Sequence, residues 1–144
     1  DCGNNKYYWS LISMDGDVKS SHHYDAPSGY YNYIVINSSK TLVYITLPNM
    51  NTMPSFDMEG KKQFTCNPSN LKWPLGGLVD RDGNMFFTGY QSSNIHHLSR
   101  DVSVLQIIAT GVPGHPFAIC MGKRWDMFIV TDYYTAHLHL YRLN

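Results

Sequence analysis

At 144 residues the chain has the length of one domain, and with 43% hydrophobic, 14% aromatic and 15% charged residues its composition is that of a folded chain. Eleven Lys and Arg balance eleven Asp and Glu, so the net charge is zero and there is no basic excess of the kind that draws a protein to nucleic acid. No stretch approaches the roughly 18 apolar residues of a membrane helix and no signal-like segment opens the chain, which leads to the expectation of no membrane partner.

Eleven Tyr favour strands and exposed recognition surfaces. Three cysteines, Cys2, Cys66 and Cys120, form no close pair. They predict reduced, mostly buried thiols and a cytoplasmic setting rather than a disulfide framework. The first residue is Asp and not Met, so a processed start or a piece of a longer protein is expected.

In chain order, Trp9 to Ser13, the turn Met14-Asp15-Gly16 and Asp17 to Tyr24 predict a hairpin. Strands follow over Tyr33 to Ile36 and Leu42 to Thr46, joined across Asn37 to Thr41. Two more are predicted over Asn51 to Asp57 and Lys61 to Thr65, around Met58-Glu59-Gly60. Pro54 is a blemish in the third of these, tolerable only near an edge or a bulge. Residues 74 to 108 then give the clearest unit. Leu78-Val79 leads into the turn Asp80-Arg-Asp-Gly-Asn84, where Gly83 supplies a positive φ. Met85 to Phe87, Asn94 to Ser99 and Val102 to Ile108 follow as strands. A last unit starts at Pro116.

These units recur. Gly60 follows Gly16 by 44 positions, Asn94 follows Asn51 by 43, and Pro116 follows Pro74 by 42. The last offset also maps Phe86 onto Phe128, Ile95 onto His137 and Leu98 onto Leu140. A period of roughly 43 residues with four short strands is that of a propeller blade, whose small sheet must stack on copies of itself. The fold expected is therefore all-β, a β-propeller of four-stranded antiparallel blades. A blade remnant over 1–25 and blades near 26–66, 67–110 and 111–144 make about three and a half blades. The ring is incomplete. Missing N-terminal blades, or self-association through open strand edges, would have to cover the ends.

The pattern Pro-x-Gly-x-x-Val-Asp-x-x-Gly-Asn-x-Phe, then Asn-x-x-hydrophobic, resembles the NHL repeat. Pro74 to Leu98 matches it nearly throughout. Pro116 to Leu140 matches in its apolar positions but carries Met121-Gly-Lys-Arg-Trp-Asp126 in place of the Asp-x-x-Gly-Asn turn. Asp80-Arg-Asp-Gly-Asn-Met-Phe-Phe with Ser93-Asn-Ile-His-His-Leu-Ser is similar to the last blades of tripartite-motif proteins of the NHL type. The resemblance implies a propeller of about six blades, C-terminal to the RING, B-box and coiled coil of a ubiquitin ligase. Three cysteines cannot supply the zinc ligands of a RING, so any ligase activity would lie outside this chain.

A meander sorts its loops onto two rims. Asp57 to Gly60, Asp80 to Asn84, Arg100-Asp101 and Met121 to Asp126 go to one. Leu47 to Met50, Asn67 to Trp73, Gly89 to Ser93, Gly111 to His115 and Asp132 to Thr135 go to the other. The second rim holds the candidate binding residues Lys72, Trp73, Tyr90, Gln91, His115, Tyr133 and Tyr134, types suited to stacking and mixed polar contacts. Packing of Trp73 and Tyr90 between blades is the plain alternative. A protein partner is expected, with single-stranded RNA as the alternative. Lys123 and Arg124 lie on the opposite rim from Lys72, so no single basic stripe forms.

Seven histidines raise a second alternative, because an NHL-type propeller is also the scaffold of the zinc-dependent peptide-amidating lyase. Adjacent His22-His23 and His96-His97 point to opposite faces of their strands, and no Cys or carboxylate stands at ligand spacing beside His137 and His139. No GxSxG, phosphate-binding Gly-rich loop or carboxylate pair is present, so neither a cofactor nor a catalytic residue is predicted. Asn37-Ser-Ser39 is formally a glycosylation sequon.

Overall fold

A computed structural model describes residues 4–27, 32–101, 103–110, 114–124 and 126–143. Cys2, Val102 and Trp125 lie outside the described residues. Among the described residues thirteen strands form four antiparallel sheets. The first is a long hairpin of β1 (Asn4–Ile12) and β2 (Val18–Pro27). Next comes a four-stranded sheet of β3 (Ile34–Ile36), β4 (Leu42–Ile45), β5 (Met53–Asp57) and β6 (Lys62–Cys66). A second four-stranded sheet has β7 (Pro74–Val79), β8 (Met85–Gly89), β9 (Asn94–Leu98) and β10 (Val104–Thr110). The last has three strands, β11 (Pro116–Met121), β12 (Met127–Asp132) and β13 (Leu138–Arg142). The only helical turn among the described residues is a 3-10 turn at Pro48–Met50.

One device shapes the turns. The first turn residue accepts the N–H four positions on through its side-chain oxygen: Asn37 from Thr41 (2.8 Å), Asp57 from Lys61 (2.8 Å), Asp80 from Asn84 (2.8 Å), and the hydroxyls of Ser13 and Ser99 from Asp17 and Ser103. In the first four of these turns along the chain the fourth residue is left-handed, as Gly16, Gly60 and Gly83 at φ 92°, 82° and 86° and, without a glycine's freedom, Lys40 at 56°. Asp, Asn and Ser compete well for such local bonds, which is why they open these turns. The sequon asparagine is thus consumed: Asn37 Oδ1 accepts from Thr41 and Leu42, and its Nδ2 donates to Ser39 and Thr41.

Alternation within strands sends side chains to both faces of each sheet, and three apolar cores form between sheets. Trp9 and Ala26 of the hairpin meet Val43, Ile45, Leu47 and Phe56. Val35, Tyr44, Met53, Cys66 and Leu71 meet Met85, Phe87 and Leu98. Ile95 meets Phe128 and Val130. At roughly 1.5–3 kcal/mol for each large side chain buried, these cores outweigh the turn bonds as the glue between sheets. Pro54 sits beyond the end of the β4–β5 pairing and beside a bulge at Ser55–Phe56, the tolerated position.

Four sequence matches need correction. Val79 pairs with Met85 in one sheet and Met121 with Phe128 in the last, so the final turn is one residue longer and Phe128 stands where Met85 does. The following strand shifts with it, placing Leu138 at the position of Ile95 and Tyr141 at that of Leu98. Likewise Leu47 pairs with Thr52 as Gly89 pairs with Asn94, so Asn51 corresponds to Ser93 and both are left-handed, at φ 54° and 47°. Cys66 is buried, and burial pushes its thiol up to about 11, but Cys120 is exposed, against the expectation for mostly buried thiols.

Candidate functional site

Five of the seven predicted binding residues come together on one rim. Tyr90, just after β8, lies at the centre. Its ring stacks against Trp73 (centroids 5.7 Å) and His115 (4.5 Å), meets Tyr133 edge-on (5.6 Å), and its hydroxyl donates to the Tyr134 hydroxyl at 3.0 Å. The loops are tied by backbone bonds from Tyr90 N–H to Trp73 O (3.0 Å) and from Tyr133 N–H to His115 O (3.0 Å). The His115 ring nitrogen Nδ1 lies 2.9 Å from Tyr90 O. Trp73 holds a left-handed backbone at φ 51°, and its N–H donates to Asn51 Oδ1 at 2.8 Å. A bulky residue held in that conformation is fixed by its surroundings. The packing alternative is therefore half right, since Trp73 and Tyr90 are partly buried in contacts that span two sheets.

Lys72 and Gln91 are on the same rim but outside the cluster. Both are exposed, and their link is the backbone bond from Gln91 N–H to Lys72 O at 3.2 Å. A cleft of about 210 Å³ opens among Trp73, Tyr90, Tyr133 and Tyr134, with Leu75 and Phe117 as further walls. Phe117 packs on Tyr133 at 5.2 Å and on Tyr33 at 5.6 Å. Neither wall was singled out from sequence, because strand residues read as core.

Asp132 was also missed, and it fixes the loop that carries Tyr133 and Tyr134. Its Oδ1 accepts the N–H groups of Tyr134 (2.8 Å) and Thr135 (2.9 Å), and its Oδ2 accepts that of His115 (3.0 Å). Desolvation pushes this buried carboxyl upward, but the N–H donors of Thr135, Tyr134 and His115 outweigh it and hold it below the usual carboxylate range. Desolvation, the Tyr134 hydrogen bond and the nearby charges of Tyr134, Tyr133 and Asp132 together push the Tyr90 phenol up to about 12. An Asp that closes a strand just before paired tyrosines is the sequence signal that could have found it.

The histidines diverge. His96 is buried toward the preceding sheet, His97 stacks on Phe86 at 4.3 Å, His22 packs at a tilt on Trp9 at 4.5 Å, and His23 faces Tyr8. Among the described residues no three His, Cys, Asp or Glu side chains converge on a common point. None of the described helices is long and apolar enough to cross a membrane.

No protein-family model matches the chain, and no curated protein does. Solved structures do. Virginiamycin B lyase from Staphylococcus aureus matches with TM-score 0.66 at 16% identity over 92% of this chain and 47% of its own. A streptogramin B lyase matches with TM-score 0.66 at 19% identity, again over 92% and 47%. A nidogen/laminin complex matches with TM-score 0.69 at 17% identity over 99% of this chain and 58% of the matched one. These neighbours are β-propeller proteins, and the chain spans about half the length of each. Four-stranded antiparallel meanders stacked face to face thus define an all-β protein, an arc of a β-propeller.

Proposed function

We propose that the chain is a non-enzymatic recognition module that binds a protein partner through the aromatic rim. The observation that carries this is the Trp73–Tyr90–His115–Tyr133–Tyr134 cluster, a preassembled aromatic surface with an open cleft. Such residues dominate protein interfaces. The propeller neighbours include enzymes as well as the nidogen/laminin pair, so the fold itself leaves catalysis open and the site must decide. Tyr, Trp and His held by mutual stacking offer contact area rather than a nucleophile with a base. We further place the chain in an NHL-type propeller, as the substrate-recognition part of a cytoplasmic tripartite-motif ubiquitin ligase; that context requires a RING and B-box encoded upstream of Asp1.

Single-stranded RNA is the weaker alternative. The chain has no basic excess to hold a phosphate backbone, and the central ring, Tyr90, is already engaged by four aromatic neighbours. Binding of a random peptide library and of an oligouridylate, each to the chain and to its Tyr90→Ala/Tyr134→Ala variant, tests the proposal. Selected peptides are expected to weaken about 30-fold or more in the variant, as for loss of a roughly 2 kcal/mol aromatic anchor. Salt-sensitive RNA binding that the variant abolishes, with no peptide selected, overturns it.

A further inference from the structure

The cleft at the aromatic rim has a chemistry that selects its ligand. About 210 Å³ is less than the 300–1,000 Å³ typical of pockets for drug-sized molecules, so it suits one side chain rather than a cofactor. Its walls are π-systems. Tyr133 and Tyr134 are 42% and 70% exposed, so part of each ring faces solvent. Asp132, which immediately precedes them, carries a fixed negative charge. The Asp132 carboxylate is buried and, among the described residues, bound by N–H groups and the Thr135 hydroxyl. Gly114, at φ 81°, closes over it so tightly that a Cβ there would overlap the carboxylate. The ion pairs of the described residues, Lys19–Asp17 and Arg124–Asp126, leave Asp132 without a cation. The carboxylate therefore stays ionised directly beside the two tyrosines that follow it in the chain. Lys72, the nearest cation along the chain, is exposed and does not line the cleft.

We propose that this cleft receives an arginine side chain of the protein partner, its guanidinium laid against the Tyr133 and Tyr134 rings and drawn by the Asp132 charge. A guanidinium is planar, weakly hydrated and suited both to aromatic faces and to phenolic acceptors. Phosphate-bearing ligands meet the wrong sign of charge. The proposal rests on the protein-recognition reading and makes it specific.

Saturation-transfer NMR with the peptide Ac-Gly-Ser-Arg-Ser-Gly-NH2, and with the same peptide carrying neutral citrulline, tests it on the full chain. The arginine peptide is expected to bind at least tenfold more tightly than the citrulline one. Tyr134→Phe keeps a π face and is expected to retain most of that preference, whereas Tyr134→Leu, apolar without a π face, loses it. Equal binding of the two peptides, or of the Phe and Leu variants, overturns the proposal, as does no binding of either peptide. If library peptides bind the rim but their arginines can be replaced by citrulline without loss, the arginine proposal fails alone. If no peptide binds at all, the recognition reading fails with it.

Discussion

His96 and His97 are neighbours in β9 and face different sheets, yet both are removed from water. Desolvation holds each below the ordinary imidazole range, and at His97 the charge of Asp80 partly opposes it. As pH falls through about 6.5 the unfolded chain takes up protons that the folded chain refuses. The unfolded state then binds more protons, so stability rises with pH across that window. It is complete above about 6.5 and declines below it until the folded histidines also protonate. The thermal midpoint is expected to fall between pH 7.5 and 5.5, and a His96→Gln/His97→Gln variant should flatten that slope; an unaltered slope would assign it to other groups. Gly76 marks a different limit at this scale. Its missing side chain lets β7 lie against β11, where a Cβ would collide with Phe117 O and come within 2.9 Å of Ala118 Cα. Backbone cannot swing aside, so Gly76→Ala should destabilise by about 3 kcal/mol, read as a lower urea midpoint at unchanged m.

The turns are the elements most legible in the sequence. Asp80-Arg-Asp-Gly-Asn84 names its own bonds, because Asp accepts from the N–H four positions on and Gly takes the left-handed position. Lys40 occupies the same place at φ 56° without a glycine. Exchanging the residue types should therefore act with opposite signs. Lys40→Gly is expected to stabilise by up to about 1 kcal/mol, and Gly83→Ala to destabilise by about 1–2 kcal/mol, measured by thermal unfolding. Where the turn chemistry is missing, legibility fails. Met121 to Asp126 carries no Asp-x-x-Gly, its length could not be counted, and one extra residue reversed the facing of Phe128, Ile129 and the strand beyond. The site divides in the same way. Trp73, Tyr90, His115, Tyr133 and Tyr134 are readable because a meander sorts loops by parity. Phe117 is not, since its direction depends on an irregularity between Pro116 and Ile119 that composition does not reveal. Nor does composition show that Asp132 turns its carboxylate onto three N–H groups.

For the whole molecule, the two ends carry what the middle hides. Ile129, Leu138 and Leu140 stand where Phe86, Ile95 and His97 meet the next sheet, but they are 37%, 68% and 64% exposed, and β13 has one unpaired edge among the described residues. Open apolar edges of this kind promote association. Light scattering is expected to give masses above 16.5 kDa that rise with concentration, and Leu138→Lys/Leu140→Lys should lower them. A monodisperse monomer that unfolds cooperatively and binds no hydrophobic dye would show that the ends need no cover. The aromatic rim has a mechanical consequence as well. Side-chain bonds that cross between sheets gather there, as Trp73–Asn51, Ser93–Gly114, His115–Tyr90 and Tyr90–Tyr134. The opposite rim is held by turns that mostly bond within themselves, and the Arg100–Asp82 bond stays inside one sheet. An arc built this way is stiff along one edge and compliant along the other, so bending would fan the turns apart about the tyrosines as a hinge line.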